Sequence, residues 1–198
     1  MTDEIPKEIT VYVDSDWATD TTTRRSTLGF VLMFSKCVLH FMSKTQSTVA
    51  LSSAEAELNA FVLALNEALY IKTLMQELDI KVAVKVFCDS SAAIQHLQKL
   101  GLGRLKHVSM KSLYVQDMLQ RKMFHVVKVD GLKNIADILT KATDTVTQER
   151  LLASPLWKVN VDSSCGRKCD AQSADLDVEV SYLRLVLSRC IDKDYVVL

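Results

Sequence analysis

The sequence has 198 residues, of which 48% are hydrophobic, so it is long enough for one ordinary domain with a buried core. Lys and Arg total 24 and Asp and Glu total 24, which gives a formal net charge of zero. This balance excludes a chain-wide positive field, and any binding of nucleic acid must use a local basic surface.

The cysteines and the apolar runs indicate in which cellular compartment the protein resides. The five cysteines are an odd number, and Cys37 and Cys88 lie inside apolar runs, which fits reduced thiols better than a disulfide framework. No apolar run approaches the roughly 18 residues that a membrane span needs, and the acidic N-terminus does not have the pattern of a signal peptide. We therefore expect a soluble intracellular protein, cytoplasmic or nuclear, with no membrane partner.

Three strands are predicted in the first part of the chain. Residues 9–13 are β-branched and aromatic, and they run directly into Asp14. Residues 15–27 are rich in Thr and Asp and predict a loop. The apolar runs at 28–34 and 37–42 are separated by two polar residues, which indicates a hairpin.

A long helix is expected next. Ser52 and Glu55 have the spacing of a capping box, in which Ser52 would be the N-cap. Apolar residues then recur at helical spacing from Leu58 until the pattern fades near Leu78. Residues 82–88 form the next predicted strand.

The rest of the chain alternates helices with one further strand. Asp89 follows the fourth strand, and Ser90 or Ser91 could cap a short helix that runs through Leu97. After a glycine-containing loop, residues 108–120 predict a helix.

Residues 124–129 predict a fifth strand, and Asn134 is the expected cap of a last short helix over 135–141. This order predicts an α/β fold with a five-stranded mixed sheet flanked by helices. The first three strands should be antiparallel, and the fourth should return through the long helix. We expect a domain over residues 1–150 and a C-terminal extension of unknown structure over 151–198, in which residues 176–191 suit either a helix or a strand.

Carboxylates lie where predicted strands end and helices begin. Asp14 and Asp89 follow strands, a Glu lies in the first turns of the long helix, and Asp137 begins the last helix. Such positions meet at one edge of an open α/β sheet. Several hard oxygen ligands there would suit Mg²⁺ or Mn²⁺, whereas an Asp after a strand taken singly is more often a turn residue.

Helical periodicity distinguishes the two Glu residues of the long helix. At about 100° per residue, Glu57 shares a stripe with Phe61 and Ala64, on the side that faces the sheet. Glu55 falls on the far side and has a structural role in the capping box. A charge that faces the sheet needs a reason, so Glu57 is the predicted ligand.

Several short motifs follow one another along the chain. They are Tyr-Val-Asp-Ser-Asp-Trp-Ala at 12–18, Arg-Arg-Ser-Thr at 24–27 with Gly-Phe at 29–30, Ser-Lys at 43–44 with Gln46, Ala-Leu-Ser-Ser-Ala-Glu-Ala-Glu at 50–57, Phe-Cys-Asp-Ser at 87–90, Lys-His at 106–107 and Ala-Asp-Ile-Leu-Thr-Lys at 136–141. In this order they resemble the ribonuclease H region of copia-type retrotransposon Pol polyproteins. The resemblance covers about residues 9–142.

The resemblance implies a ribonuclease H-like fold and an endoribonuclease that cuts the RNA strand of an RNA/DNA hybrid. It implies that Asp14, Glu57, Asp89 and Asp137 are both the catalytic residues and the ligands of two Mg²⁺ or Mn²⁺ ions. One ion would activate water and the other would stabilise the leaving 3′ oxygen. Asp16 belongs to the motif but lies past the predicted strand, so we expect it to support the ligands.

Basic residues in two loops are the candidates for binding the hybrid. Arg24 and Arg25 follow the first strand, while Arg104 and Lys106 lie beside the glycine-containing loop, with His107 as a further candidate. Phosphate contact would suit recognition of a hybrid duplex, and a solvated charged surface explains the same residues about as well.

Two positions depart from the family pattern. Phe41 and Met42 stand where the family has Trp-Lys, and Ser109 stands where it has Asp. None of these residues is a predicted metal ligand. The departures would therefore weaken contacts with the substrate without removing the catalytic residues.

The sequence leaves two functions open. The polymerase motif Tyr-x-Asp-Asp is not found at residues 12–15, so we expect a fragment, a processed product or a stand-alone descendant, with a reverse transcriptase domain or a larger assembly as partner. A domesticated, non-catalytic domain that binds nucleic acid or protein is the alternative. Retention of all the predicted carboxylates favours the enzyme.

Overall fold

A computed structural model describes residues 8–34, 37–99 and 109–152. The predicted contacts of Arg104, Lys106 and His107 lie outside the described residues. So does nearly all of the predicted extension over 151–198, and the domain division remains a prediction. Within the described ranges, no helix combines the length and apolar character required to cross a bilayer.

The described residues form strands and helices in the following chain order. They are β1 (Glu8–Asp16), β2 (Thr27–Phe34), β3 (Cys37–Thr45), α1 (Ser53–Glu77), β4 (Ala83–Cys88), α2 (Ser91–Gln98), α3 (Ser109–Gln120), β5 (His125–Lys128), a 3₁₀ turn (Gly131–Lys133), α4 (Asp137–Thr140) and α5 (Thr145–Leu152).

The strands form one five-stranded sheet in the order β3-β2-β1-β4-β5. The β1–β2 and β2–β3 pairs are antiparallel, whereas β1–β4 and β4–β5 are parallel. The predicted mixed sheet is therefore confirmed, including the antiparallel first three strands and the return of the fourth strand through α1. The central position of β1 follows from its residues, which are buried on both faces.

Each face of the sheet has its own apolar cluster. Val11 and Val13 of β1 point to one face and pack with Phe61 and Leu65 of α1. Tyr12 points to the other face, because side chains alternate along a strand, and packs near Ile135 in the segment before α4. Helices α1 to α3 therefore cover one face, and the 131–140 segment covers the other.

Two strands extend beyond their predicted ends. β1 continues to Asp16, because its antiparallel partner β2 pairs Ser15 with Leu28 and Asp16 with Thr27. The expectation that Asp16 lies past the strand, in a loop that starts at residue 15, is therefore wrong. β3 likewise continues to Thr45. Backbone pairing supplies these extensions without apolar side chains, so the hydrophobic pattern did not show them.

The last predicted helix is shorter than expected, and Asn134 does not cap it. α4 has a single turn, Asp137–Thr140, and follows the 3₁₀ turn. Asn134 is fully buried and ties this segment to the sheet, since its Nδ2 donates to the Val13 carbonyl at 3.0 Å. Its Oδ1 accepts from the Ala136 N–H at 3.3 Å. α5 was not predicted.

Gly29 of β2 is required by the close approach of α4. A Cβ at this position would lie 2.8 Å from Leu139 Cβ and 2.8 Å from Thr140 Cγ2. We expect Gly29→Ala to lower the free energy of unfolding by about 1–3 kcal/mol, because α4 would have to shift away from the sheet. Chemical denaturation measures this change. An unaltered unfolding midpoint would show that α4 docks less tightly than described.

Candidate active site

Two aspartates emerge side by side at one edge of the sheet. β1 and β4 are parallel neighbours with Val13 paired to Cys88, so Asp14 and Asp89 are the next residues on adjacent strands. Asp137 begins α4 on the same side. Carboxylate oxygens of these three aspartates lie within 4.8 Å of one another, and Asp14 is only 1% exposed.

α4 is held against this edge by polar contacts as well as by packing. Ser43 of β3 donates its hydroxyl to the Leu139 carbonyl at 2.6 Å. The Thr140 hydroxyl donates to Asp14 Oδ2. Together with the bond from Asn134 to Val13, these contacts fix where Asp137 begins its helix and therefore where its carboxylate lies.

Glu57 enters the cluster from α1. Its side chain is 8% exposed, and its Oε2 has no hydrogen-bond partner. A Glu57 carboxylate oxygen lies within 4.8 Å of the Cys88 Sγ and an Asp89 carboxylate oxygen. A buried carboxylate oxygen without a partner is costly. This donor set therefore fits a divalent cation, which would satisfy that oxygen.

The carboxylates raise one another's pKa values. Burial, then the charges of Asp14 and Asp89, raise the pKa of Glu57 to about 9. Burial and Asp14 raise the pKa of Asp137 to about 6, and the same two causes raise the pKa of Asp89. In the metal-free protein at neutral pH, Glu57 is therefore protonated.

Lys141 at the end of α4 partly neutralises the cluster. Its Nζ lies 3.3 Å from Asp14 Oδ1 and 3.1 Å from Asp137 Oδ1. Burial alone would lower the pKa of Lys141, but the attraction of these two carboxylates outweighs it and raises the pKa to about 12. Lys141 is therefore an ammonium ion at neutral pH. Cys88, whose pKa is raised to about 12 chiefly by burial, is a neutral thiol there.

A hydrogen-bond network around the Gln46 side chain holds Glu57 in position. The Gln46 side chain is buried, and its Nε2 donates to Ser15 Oγ at 3.2 Å and to the Ala56 carbonyl at 2.9 Å. Asn59 donates to Gln46 Oε1 at 3.0 Å. Since the backbone of Ser15 in turn hydrogen-bonds to Glu57, the end of β1 and the first turns of α1 are locked together at the site.

The two Glu residues of α1 divide their roles in a way that helical phase predicted only in part. The Ser52 hydroxyl accepts from the Glu55 N–H at 3.2 Å, so Ser52 is the N-cap as expected. Glu55 is 9% exposed, however, and this burial was not expected from its position away from the sheet-facing stripe. Its Oε2 accepts from the Leu51 N–H at 2.8 Å, which folds the side chain back over the helix start.

The structure also describes three other predicted site residues, Asp16, Arg24 and Arg25. Asp16 is half-buried in β1, two residues beyond Asp14 and on the same face. Arg24 and Arg25 are exposed on a turn in which Arg24 N–H donates to the Asp20 carbonyl at 2.7 Å. The contacts of Thr140 and Lys141 with Asp14 were not anticipated. Their signal was the Thr-Lys pair that ends the 136–141 motif.

Comparison with known proteins relates the chain to retrotransposons. It is 35% identical over 133 residues to the retrovirus-related Pol polyprotein from transposon TNT 1-94 of Nicotiana tabacum, a match that covers 66% of this chain and 10% of that protein. It is 28% identical over 158 residues to the corresponding polyprotein from transposon RE2 of Arabidopsis thaliana, covering 78% of this chain and 11% of that protein. The chain thus spans about a tenth of the length of these relatives. No family model matches the sequence.

Solved structures define the fold. LC11-RNase H1, isolated from compost by a metagenomic approach, superimposes with a TM-score of 0.55 at 20% identity, over 68% of this chain and 93% of that chain. RNase H1 from the halophilic archaeon Halobacterium salinarum NRC-1 gives a TM-score of 0.51 at 16% identity, over 67% and 94%. The described residues therefore have the ribonuclease H fold. The fold and the transposon relatives together support a ribonuclease H domain similar to those of retrotransposon Pol polyproteins.

The raised pKa of Glu57 predicts how stability depends on pH. Because the folded state raises the pKa of Glu57 from 4.5 to about 9, it holds the proton more tightly than the unfolded state. The associated stability is complete below the unfolded pKa and is lost as pH rises through the folded one. Asp137 acts in the same direction, between 3.8 and about 6. We expect the metal-free domain to lose stability from about pH 4 to pH 9, most steeply below about pH 6, where both groups contribute.

Denaturation in EDTA across this pH range measures the effect. Glu57→Gln keeps the shape of the side chain without the ionisable group, so its stability should fall less over the upper part of the range. A wild-type curve that rises with pH, or an equal fall in Glu57→Gln, would contradict this account.

Proposed function

We propose that this domain is a metal-dependent endoribonuclease of the copia type, which cuts the RNA strand of RNA/DNA hybrids during retrotransposon reverse transcription. The observation that carries the proposal is the convergence of Asp14, Asp89 and Asp137 at one sheet edge, with Glu57 buried beside them and one of its oxygens unpartnered. The charged ligands that these four residues offer are all carboxylate oxygens, which favours Mg²⁺ or Mn²⁺.

Two ions would be held by Asp14, Glu57, Asp89 and Asp137. Bound divalent ions supply an activated water and neutralise the charge on the leaving 3′ oxygen. The protein's own contribution is to fix the four carboxylates before the substrate arrives. Asp14 is oriented by Thr140 and Lys141, while Glu57 is placed by the Gln46 network. Asp14 and Glu57 are buried, so once ionised they attract a cation strongly, because water screens their charges poorly there.

A structural neighbour and the surface beside the site support the proposed substrate class. LC11-RNase H1, which shares the fold at 21% identity, has been crystallised in complex with an RNA/DNA hybrid. In the present domain, the loop that carries Arg24 and Arg25 joins β1 to β2 at the same sheet edge as Asp14. Both side chains are exposed and could contact phosphates of a hybrid at that edge. A reverse transcriptase domain is the proposed partner in the longer polyprotein.

Cleavage of a labelled RNA/DNA hybrid tests the activity. We expect RNA-strand cleavage with Mg²⁺ or Mn²⁺ and none in EDTA, because the bound ions would activate the attacking water and stabilise the leaving oxygen. Asp89→Asn should be inactive yet folded, which excludes a contaminating nuclease. Cleavage that persists in EDTA would contradict the metal-ion proposal. A folded wild-type protein that binds hybrid without cutting it would favour a non-catalytic binding domain.

The two α1 glutamates provide a matched pair of variants for the same assay. Glu57→Gln should abolish cleavage, since Glu57 faces the other carboxylates. Glu55→Gln should keep activity and cost about 0.5–2 kcal/mol of stability, because it weakens the contact with the Leu51 N–H at the start of the helix. The opposite outcome, with both variants folded, would assign the ligand to Glu55.

Salt dependence tests the proposed nucleic-acid surface. We expect Arg24→Ala/Arg25→Ala to weaken hybrid binding and to reduce the log–log salt slope by about one for each phosphate that the variant no longer neutralises. Fluorescence anisotropy over a salt series measures both quantities.

Arg121→Ala/Lys122→Ala is the matched control for this variant. It also removes two adjacent basic residues, and Lys122 has a φ of 56°, close to the 57° of Arg24. These residues precede β5, whose parallel pairing with β4 puts its start at the sheet edge away from Asp89. An equal decrease in binding for both double variants would place the binding surface elsewhere.

A further inference from the structure

We propose that Lys141 is a built-in counter-cation that occupies one of the two metal positions and must withdraw before an ion binds there. The two positions would then differ in affinity because of a single residue. This inference rests on the proposed function, since it requires divalent ions to bind the carboxylates.

Both oxygens of Asp14 are already engaged by the end of α4. Lys141 Nζ lies 3.3 Å from Asp14 Oδ1, and the Thr140 hydroxyl donates to Asp14 Oδ2. The same Lys141 Nζ lies 3.1 Å from Asp137 Oδ1. An ammonium ion therefore bridges Asp14 and Asp137, where a divalent ion held by these two residues would also have to lie.

The neighbouring part of the cluster has no such occupant among the described residues. Glu57 Oε2 is buried without a hydrogen-bond partner, and Glu57 and Asp89 place carboxylate oxygens within 4.8 Å of each other. A cation that binds there gains an unsatisfied oxygen and displaces the proton of Glu57, but it breaks no ion pair. The Glu57–Asp89 position should therefore fill first, and the Asp14–Asp137 position should fill second.

Lys141, rather than Thr140, is the group that can leave Asp14. Thr140 is buried and lies in the last turn of a helix that is fixed against Gly29 and Ser43. The Lys141 side chain is 39% exposed and has a flexible four-carbon stem, so its ammonium can move to solvent without moving the backbone. Binding of the second ion must then offset the breaking of both ion pairs.

Titration of the metal-free domain with Mn²⁺, followed by electron paramagnetic resonance of the free ion, tests the inference. We expect a tighter and a weaker class of site in the wild type. Lys141→Gln should tighten the weaker class by roughly tenfold, equivalent to about 1.4 kcal/mol, and leave the tighter class nearly unchanged. In EDTA the same variant should unfold at a lower temperature, because Asp14 and Asp137 no longer share a cation.

Three further variants separate direct occupancy from a general effect of charge. Lys141→Arg retains the positive charge and should keep the weaker class weak. Asp137→Asn removes a ligand and should eliminate the weaker class. Lys128→Gln removes a positive charge that acts on Asp89 while its ammonium contacts Ser91, so it lowers the local field without uncovering Asp14 or Asp137.

The outcomes distinguish this inference from the proposed activity. Equal changes in Lys141→Gln and Lys128→Gln, or an unchanged weaker class in Lys141→Gln, would overturn the counter-cation while leaving the nuclease proposal intact. If the Mn²⁺ titrations give the expected pattern but the domain does not cleave the hybrid, the role of Lys141 as a counter-cation would stand and the proposed nuclease activity would be wrong. A wild-type domain that binds no Mn²⁺ would overturn both.

Discussion

Mutual repulsion among closely spaced carboxylates is the constraint on which the rest of this structure depends. Asp14, Asp89 and Asp137 place oxygens within 4.8 Å of one another, and Glu57 adds a further buried group. Like charges at such separations oppose folding unless they are protonated, paired or metal-bound. The metal-free domain uses two of these solutions, a proton held by Glu57 and an ion pair with Lys141. Binding of the proposed divalent ions would be the third solution.

The strands and α4 around the cluster hold the carboxylates in place against that repulsion. The sheet supplies Asp14 and Asp89 on adjacent paired strands, which fixes their separation. α4 is a single turn, too short to be stable by itself, and it holds Asp137 in place only through tertiary contacts. A glycine in β2 allows the close approach, and the buried Asn134 anchors the preceding segment to β1.

Much of the sheet could be predicted from the sequence, because alternation and strand length carry a strong signal. The succession of strands along the chain, the antiparallel pairing of the first three and the Ser52 cap of α1 are confirmed by the structure. Strand ends were harder to predict, since the final residues of β1 are polar and are held by backbone pairing and by polar side-chain contacts. The burial of Glu55 was not expected, because helical phase does not show the local hydrogen bond to the Leu51 N–H that folds its side chain over the helix start. Lys141 escaped notice because its partner Asp14 is distant in the sequence.

The bond between Thr140 and Asp14 joins residues separated by 126 positions. The five strands of the described sheet are complete by Lys128, so a nascent chain can form this sheet before the segment that finishes the cluster has been synthesised. Contacts of such high sequence separation form late, because loop closure is costly in entropy. The cluster is therefore assembled last, and a chain interrupted between β5 and α4 would have the sheet without Asp137. The complete cluster can therefore form only after the ribosome has synthesised the residues of α4.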